Sequence, residues 1–358
     1  MFYYLYSFAT YFSGFYVFKY ITFRMICGAI FGFFLVYKSM PYFIKFMKKK
    51  QFGQVIREEG PSHHKKKMGT PTMGGVVLIL SILLSTVLWC KVDDYLVISA
   101  LILLLGFGFV GFLDDFLKIK RKHNLGLTAR QKFLLQILVA VLFYSFLFVV
   151  HGFSTKLYFP VFKNLVINLG AWYLIFSVLV VVGSSNAVNL TDGLDGLAIV
   201  PLVVVAGVYS IISYVTGHKI FAHYLYLPYT PGAGELAVFC AILVGVGLGF
   251  LWYNCHPAEI FMGDVGSLSL GASIGGVSIM AKQEFLLVLA GWVFVMEALS
   301  VILQVGYFKL RKGKRIFKMA PIHHHFELSG WEENKVVVRF WIIAVICGLL
   351  ALSTLKIR

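Results

Sequence analysis

Leu101-Ile102-Leu103-Leu104-Leu105-Gly106-Phe107-Gly108-Phe109-Val110-Gly111-Phe112-Leu113-Asp114-Asp115 decides the class of fold. An unbroken apolar run stops at two adjacent carboxylates. With the residues from Tyr95 onward it is long enough to cross hydrocarbon as a helix. It lacks the alternation of a barrel strand. A carboxylate beside hydrocarbon is costly, so it marks a candidate functional position. Asp192, Asp195 and Asp264 lie at the edges of other apolar runs, although the chain has only 16 Asp and Glu in 358 residues. These acids, on three separate segments, point to one polar site at a membrane face, suited to holding a cation and handling phosphates.

The surrounding composition agrees. The chain is 59% hydrophobic, 16% aromatic and 13% charged, with a mean hydropathy of +0.84. That is too much apolar surface for a soluble core. The expected fold is an all-α polytopic membrane protein, a single integral membrane domain over 1–358 with about ten transmembrane helices. Spans fall at 21–44, 72–90, 95–113, 133–151, 171–187, 197–216, 236–253, 265–281, 285–308 and 336–355. The loops 45–71, 114–132, 188–196, 254–264 and 309–335 then share one side and hold 21 of the 32 Lys and Arg. The excess of basic residues places them in the cytoplasm and both termini in the periplasm. Every acid singled out above falls on the cytoplasmic side. Asp93-Asp94 is the exception and reads as a solvated interfacial pair.

The first 20 residues lack a basic start and a small-residue cleavage site, so they read as a retained interfacial segment rich in Tyr and Phe. The periplasmic loop 152–170 reads as a small hairpin, with 156–159 and 165–168 flanking a turn. The five cysteines form no C-x-x-C pair and read as buried small hydrophobes. The net charge of +16 reflects orientation and anionic lipid, with no nucleic-acid partner.

Five cytoplasmic stretches carry the chemistry. Asp114 and Asp115 point about 100° apart on a helix, so both cannot easily grip one ion; one would face the site while the other braces a base. The bland alternative is a pair of interfacial acids balanced by Lys118 and Lys120. Asn186 to Gly196 contains Asn189, Asp192 and Asp195 with two glycines and no basic residue, which argues against a plain connector. Asn254 and Phe261-Met262-Gly263-Asp264-Val265-Gly266-Ser267 form the fourth cytoplasmic loop. Asp264 suits either the N-terminal cap of the next span or a hard oxygen ligand for Mg²⁺. Phe261 suits stacking on a base. Pro321 to Glu327 holds His323, His324 and His325, which point different ways and do not form a three-histidine zinc site. The histidine loop 309–335 suits donation to a pyrophosphate or leaving group. Lys67 and Thr72 flank the entry to the second span, where a lysine suits a diphosphate.

Taken together, Thr70 to Gly75, Asp114-Asp115, Asn186 to Gly196, Phe261 to Ser267 and Ala320 to Glu327 resemble the phospho-N-acetylmuramoyl-pentapeptide transferases of the polyprenyl-phosphate N-acetylhexosamine-1-phosphate transferase superfamily. The resemblance runs in order over nearly the whole chain. It implies transfer of phospho-N-acetylmuramoyl-pentapeptide from its UDP carrier to undecaprenyl phosphate in the bacterial inner membrane, with release of UMP, a requirement for Mg²⁺, and a homodimer. By the same resemblance Asp264 is the metal ligand, and Asp114, supported by Asp115, meets the lipid phosphate. His323 joins Asp114, Asp115 and Asp264 as catalytic. Lys67, Thr72, Lys132, Asn189, Asp192, Asp195, Asn254, Phe261, His324 and His325 bind substrate, Asn254 and Phe261 at the uridine. The alternatives are a sibling that moves N-acetylglucosamine-1-phosphate and, from another class, a cation-coupled transporter. The transporter predicts acids near the midplane and internal repeats.

Overall fold

The computed structural model describes residues 1–50, 69–121, 126–160, 162, 165–311 and 313–356. Helices occupy all ten expected spans. They are α1 Ile21–Lys49, α2 Gly75–Trp89, α3 Tyr95–Arg121, α4 Ala129–Tyr144, α5 Tyr173–Thr191, α6 Ile199–Thr216, α8 Ala233–Asn254, α9 Gly263–Met280, α10 Leu286–Ala290 with α11 Trp292–Leu310, and α13 Glu333–Ser353. Short helices α7 Lys219–Tyr224 and α12 Ile322–Glu327 lie in connections. Among the described residues eight helical segments are long and apolar enough to cross a membrane, and α2 is a shorter apolar helix. The chain is an all-α polytopic membrane protein.

Two boundaries differ from the sequence reading in ways that matter. α3 does not stop at Leu113 but continues to Arg121, so Asp114, Asp115 and Lys118 ride on rigid helix. The span expected at 285–308 is broken at Gly291, between α10 and α11.

α9 explains the arrangement. Every residue from Val265 to Met280 is buried, because α3 and α5 pack along this helix while α1 and α6 pack on α8. A helix enclosed by other helices needs small residues for close approach more than it needs bulky apolar ones, and α9 is rich in Gly and Ser. A close approach is made at Gly111 of α3, where an added Cβ would overlap the Asp264 carbonyl and the Val265 amide. That contact seats the acidic end of α3 against the N-terminus of α9.

The opposite end of the bundle is held by a buried ion pair. Arg24 at the start of α1 is 1% exposed. It donates to both carboxylate oxygens of Glu235 on α8, at 2.7 and 2.6 Å, and to the Trp89 carbonyl at 3.0 Å. The Lys91 amide donates to Glu235 at 2.8 Å. Removing one partner of such a pair costs about 3–5 kcal/mol, because the other charge stays buried. The N-terminal segment, two 3-10 stretches Phe2–Phe8 and Ser13–Lys19, packs here, with Phe2 and Phe18 on the Trp89 ring.

The expected hairpin is present. β1 Lys156–Tyr158 pairs antiparallel with β2 Val166–Asn168, Lys156 opposite Asn168 and Tyr158 opposite Val166. Asp94 corrects the reading of a solvated acid pair. Its carboxylate accepts from the Leu96 amide at 2.9 Å at the start of α3, so it satisfies one of the orphan donors there.

Gly111→Ala is expected to destabilise the protein by about 1–3 kcal/mol, since backbone atoms on α9 must move. Gly306→Ala, where an added Cβ meets nothing within 4 Å, is expected to leave stability unchanged or slightly raised. Thermal melts of both variants in detergent check this contrast.

Candidate active site

The N-terminus of α9 gathers the predicted acids. Gly263, at φ +74, turns the chain into the helix, and an added Cβ there would crowd Asp115 and the Thr72 hydroxyl. Residues 71–75 are laced to 261–262. The Phe261 amide donates to the Pro71 carbonyl, and the Gly74 and Gly75 amides donate to the Phe261 and Met262 carbonyls, each at 2.9 Å. Thr72, Phe261 and Asp264 are thereby fixed around one turn.

Asp114, Asp115 and Asp264 offer carboxylate oxygens that all lie within 4.8 Å of one another. Asp114 and Asp115 are 3% and 5% exposed. The expectation that adjacent carboxylates diverge too far to share an ion is therefore corrected. Lys118 stands at i+4 from one and i+3 from the other, so it sits between their two directions. Its Nζ is 2.6 Å from Asp114, 3.5 Å from Asp115 and 2.9 Å from Asp264. Lys132 adds a second contact to Asp264 at 2.8 Å.

Asp115, and not Asp264, caps α9, accepting from the Val265 amide at 3.2 Å. Asp264 lies in the first turn, where the helix dipole favours a negative charge. It accepts from Asn189 at 2.6 Å, and Asn189 also donates to Ser267 at 2.8 Å. Asp192 ends α5. Burial, then the neighbouring Asp264 and Asp115 charges, push its carboxyl up to about 7, against a smaller pull from the Gly263 amide.

Other predicted residues go elsewhere. Asp195 does not join the three carboxylates. It is 2% exposed and bonds His256 Nδ1 at 2.9 Å and the Ala258 amide at 3.1 Å, while its own amide donates to Glu333. Asp195, His256 and Glu333 form a second group with ligand atoms within 4.8 Å. Asn254 is buried and engaged at both ends, donating to the Ile260 carbonyl at 2.9 Å and accepting from the Gly196 amide at 3.2 Å. Its amide is spent on holding the loop that carries Phe261. The three histidines take different partners, although the His323 and His324 rings pack together. His323 turns inward and is 0% exposed, His324 Nδ1 meets Glu327 at 2.8 Å, and His325 accepts from the Lys318 amide at 3.1 Å. Lys67 lies outside the described residues.

Sequence reasoning took Lys118 only as a charge balance. It overlooked His256, Glu333 and Glu297, whose carboxylate approaches His323. Glu297 had an available signal, a lone acid within an apolar run, the criterion that found the aspartates.

With this geometry in view, the comparisons with known proteins are direct. The model of the glycosyl transferase family 4 matches residues 97–282, which include α3, α5 and α9. A phospho-N-acetylmuramoyl-pentapeptide-transferase of Desulfotalea psychrophila is 54% identical over 354 residues, 99% of each chain. One of Desulforapulum autotrophicum is 50% identical over 358 residues, all of both chains. One of Thermodesulfovibrio yellowstonii is 52% identical over 356 residues, 99% of each. The chain belongs to the phospho-N-acetylmuramoyl-pentapeptide-transferase family. It is a transferase with a multi-pass membrane body.

Asp192 gives a pH prediction for the metal-free transferase. The folded protein holds this carboxyl at about 7, against 3.8 when unperturbed, so folding disfavours its ionised form. That penalty is absent below about pH 4, grows as pH rises through 7 and is then constant. Asp192→Asn removes it. The melting temperature of the variant should exceed that of the parent by on the order of a few degrees at pH 8, with the gap closing toward pH 4–5.

Proposed function

We propose that this inner-membrane protein transfers phospho-N-acetylmuramoyl-pentapeptide from its UDP carrier to undecaprenyl phosphate. The products are lipid I and UMP, in the first membrane step of peptidoglycan synthesis. The observation that carries this reading is the meeting of Asp114, Asp115 and Asp264 with Lys118 and Lys132 at one end of α3 and α9. The near-complete match to the transferases supports it. Undecaprenyl phosphate, the UDP-linked muramoyl pentapeptide, the surrounding lipids and a second copy of the chain are the partners it implies.

Phosphoryl transfer asks a protein for positioning and charge neutralisation more than for covalent help. An oxygen of the lipid phosphate attacks the β-phosphorus of the UDP-sugar. The bond from that phosphorus to the α-phosphate oxygen breaks, and UMP departs with the electron pair. The lipid phosphate is already an anion, so the acceptor needs orientation more than activation. A diphosphate from water and a phosphate from lipid meet only near headgroup depth, where the cytoplasmic ends of α3 and α9 lie in the proposed orientation. Lys132, in contact with Asp264, neutralises phosphate oxygens, a task the sequence resemblance also gives to Lys67. Asp192 and Asn189 border them, Phe261 stacks on the uracil, and Asp195 and Asn254 shape that pocket.

Three carboxylates within 4.8 Å of one another, already drawing a lysine ammonium to all three, fit Mg²⁺. This ion is usually held by one or two carboxylates plus water and phosphate oxygens. Asp264 would hold it, with Asp114 and Asp115 beside it, and when bound it would neutralise charge on the diphosphate and leaving group.

Purified protein in detergent, given undecaprenyl phosphate and Mg²⁺, should release UMP from UDP-muramoyl-pentapeptide and not from UDP-N-acetylglucosamine. The reverse preference makes the sibling activity correct, and chelation by EDTA should stop release. Asp264→Asn should lower turnover by at least about 100-fold in protein that still folds; near-normal turnover takes Asp264 out of the metal site. Phe261→Ala should weaken uridine nucleotide binding by about 10-fold or more, the worth of one stacked base. Unchanged affinity in a calorimetric titration with UMP rejects the stacking role.

A further inference from the structure

Glu297 lies within the apolar run of α11 and is 0% exposed. A carboxylate at such a place needs a partner. Its Oε1 lies 3.1 Å from Nδ1 of His323, which is also 0% exposed. The two groups are near but not aligned. Among the described residues, neither Glu297 oxygen and neither ring nitrogen of His323 makes a hydrogen bond of good geometry. Long or misaligned contacts of this kind are common in substrate-free active sites and tighten when the reactants arrive.

The other edge of the His323 ring is directed at the turn after α5. A Cβ added to Gly193 would overlap Nε2 of His323. Gly193 is not among the glycines with a left-handed backbone, so its missing side chain serves the approach of the imidazole. The residue before it is Asp192, beside the carboxylate cluster. His324 packs on the His323 ring at 4.1 Å between centroids and limits its swing. The ring is thus held between a buried carboxylate on one edge and the phosphate-site turn on the other.

We propose that Glu297 is the positioning residue of His323. It accepts from Nδ1–H, fixes the tautomer and ring orientation, and so presents Nε2 to the Asp192–Gly193 turn, where the diphosphate would lie. This rests on the assignment of His323 to the site under the proposed function. Glu297 itself is sealed from substrate and acts only through the ring. A carboxylate behind a histidine is a general device for setting which nitrogen carries the proton. A purely structural pair buried this deeply would be expected to satisfy its polar atoms, and here Glu297 Oε2 and His323 Nε2 have no protein partner among the described residues.

The test uses the full chain in detergent and reads UMP release and melting temperature for Glu297→Gln, Glu297→Met, His323→Ala and the double variant E297M/H323A. Glu297→Met should lower kcat by about 10- to 100-fold and leave KM for the UDP substrate within about twofold. Glu297→Gln, which keeps an acceptor oxygen for Nδ1–H, should lose less. The double variant should be no slower than His323→Ala alone. Nitrogen-15 spectra of histidine-labelled protein should show the His323 signal, identified by its loss in His323→Ala, as the Nδ1–H tautomer in the parent and as a mixture in Glu297→Met. Losses that multiply in the double variant, a rise in KM at constant kcat, or full activity of Glu297→Met beside an impaired His323→Ala would each overturn the positioning role alone. A His323→Ala variant that turns over like the parent would remove His323 from the site and take this inference with it. Should Glu297→Met fail to fold, the same comparison with Glu297→Gln decides.

Discussion

The lysine ammonium of Lys118, in contact with three carboxylates, is the interaction on which the rest of the structure depends. Two acids on α3 and one on α9 meet where water is scarce, and like charges at that separation repel strongly in a low dielectric. Without a cation between them, the docking of α3 on α9 would oppose itself. Lys118 and Lys132 supply that cation from inside the chain. A metal ion held there, as proposed, would act on these oxygens as the two lysines do. Each is a means of making a crowded set of oxygens tolerable, and a diphosphate brought to the same place would redistribute the same charges.

From this follows the character of α9. The helix has no lipid-facing side over Val265 to Met280, so its composition is set by how near its neighbours must come. Glycine at 111 lets α3 reach the first turn of α9, and Gly263 lets the chain enter that turn from a loop laced to residues 71–75. The acids are thereby carried on helix ends and on one tightly bonded turn. The far end of the bundle is secured separately, by Arg24 and Glu235. One end is thus tied for stability and the other is loaded with mutually repelling groups, a division expected where chemistry is done at one face.

Most of the spans were legible because hydrocarbon permits few alternatives to a long apolar helix, and the acids were legible because each is costly where it stands. The convergence of Asp114 with Asp115 was not. Their divergence on a single helix is real, and only the lysine one turn on and the docked end of α9 bring both to one place. Lys118 was hidden because a lysine at a cytoplasmic helix end is what orientation alone requires. Asp195 and Asn254 sit in strings that mark the site, yet their side chains are spent on His256, the Ala258 amide, the Ile260 carbonyl and the Gly196 amide. A string in the sequence says that a residue is at the site and not whether it faces the reactants or the scaffold. Glu297 shows the converse, a lone acid in an apolar run whose partner, His323, appears only once α11 and α12 are packed.

The start of α4 bears on how such a chain can change over time. Thr128 and Gln131 form a reciprocal capping box, and the Leu127 amide donates to Asp114 at 2.8 Å. The helix that carries Lys132 is therefore anchored at its own first turn and to α3, whatever length of chain joins the two. Insertions or deletions between Arg121 and Gly126 can accumulate without displacing the lysine, which leaves that connection free to diversify while the charge it delivers stays in place.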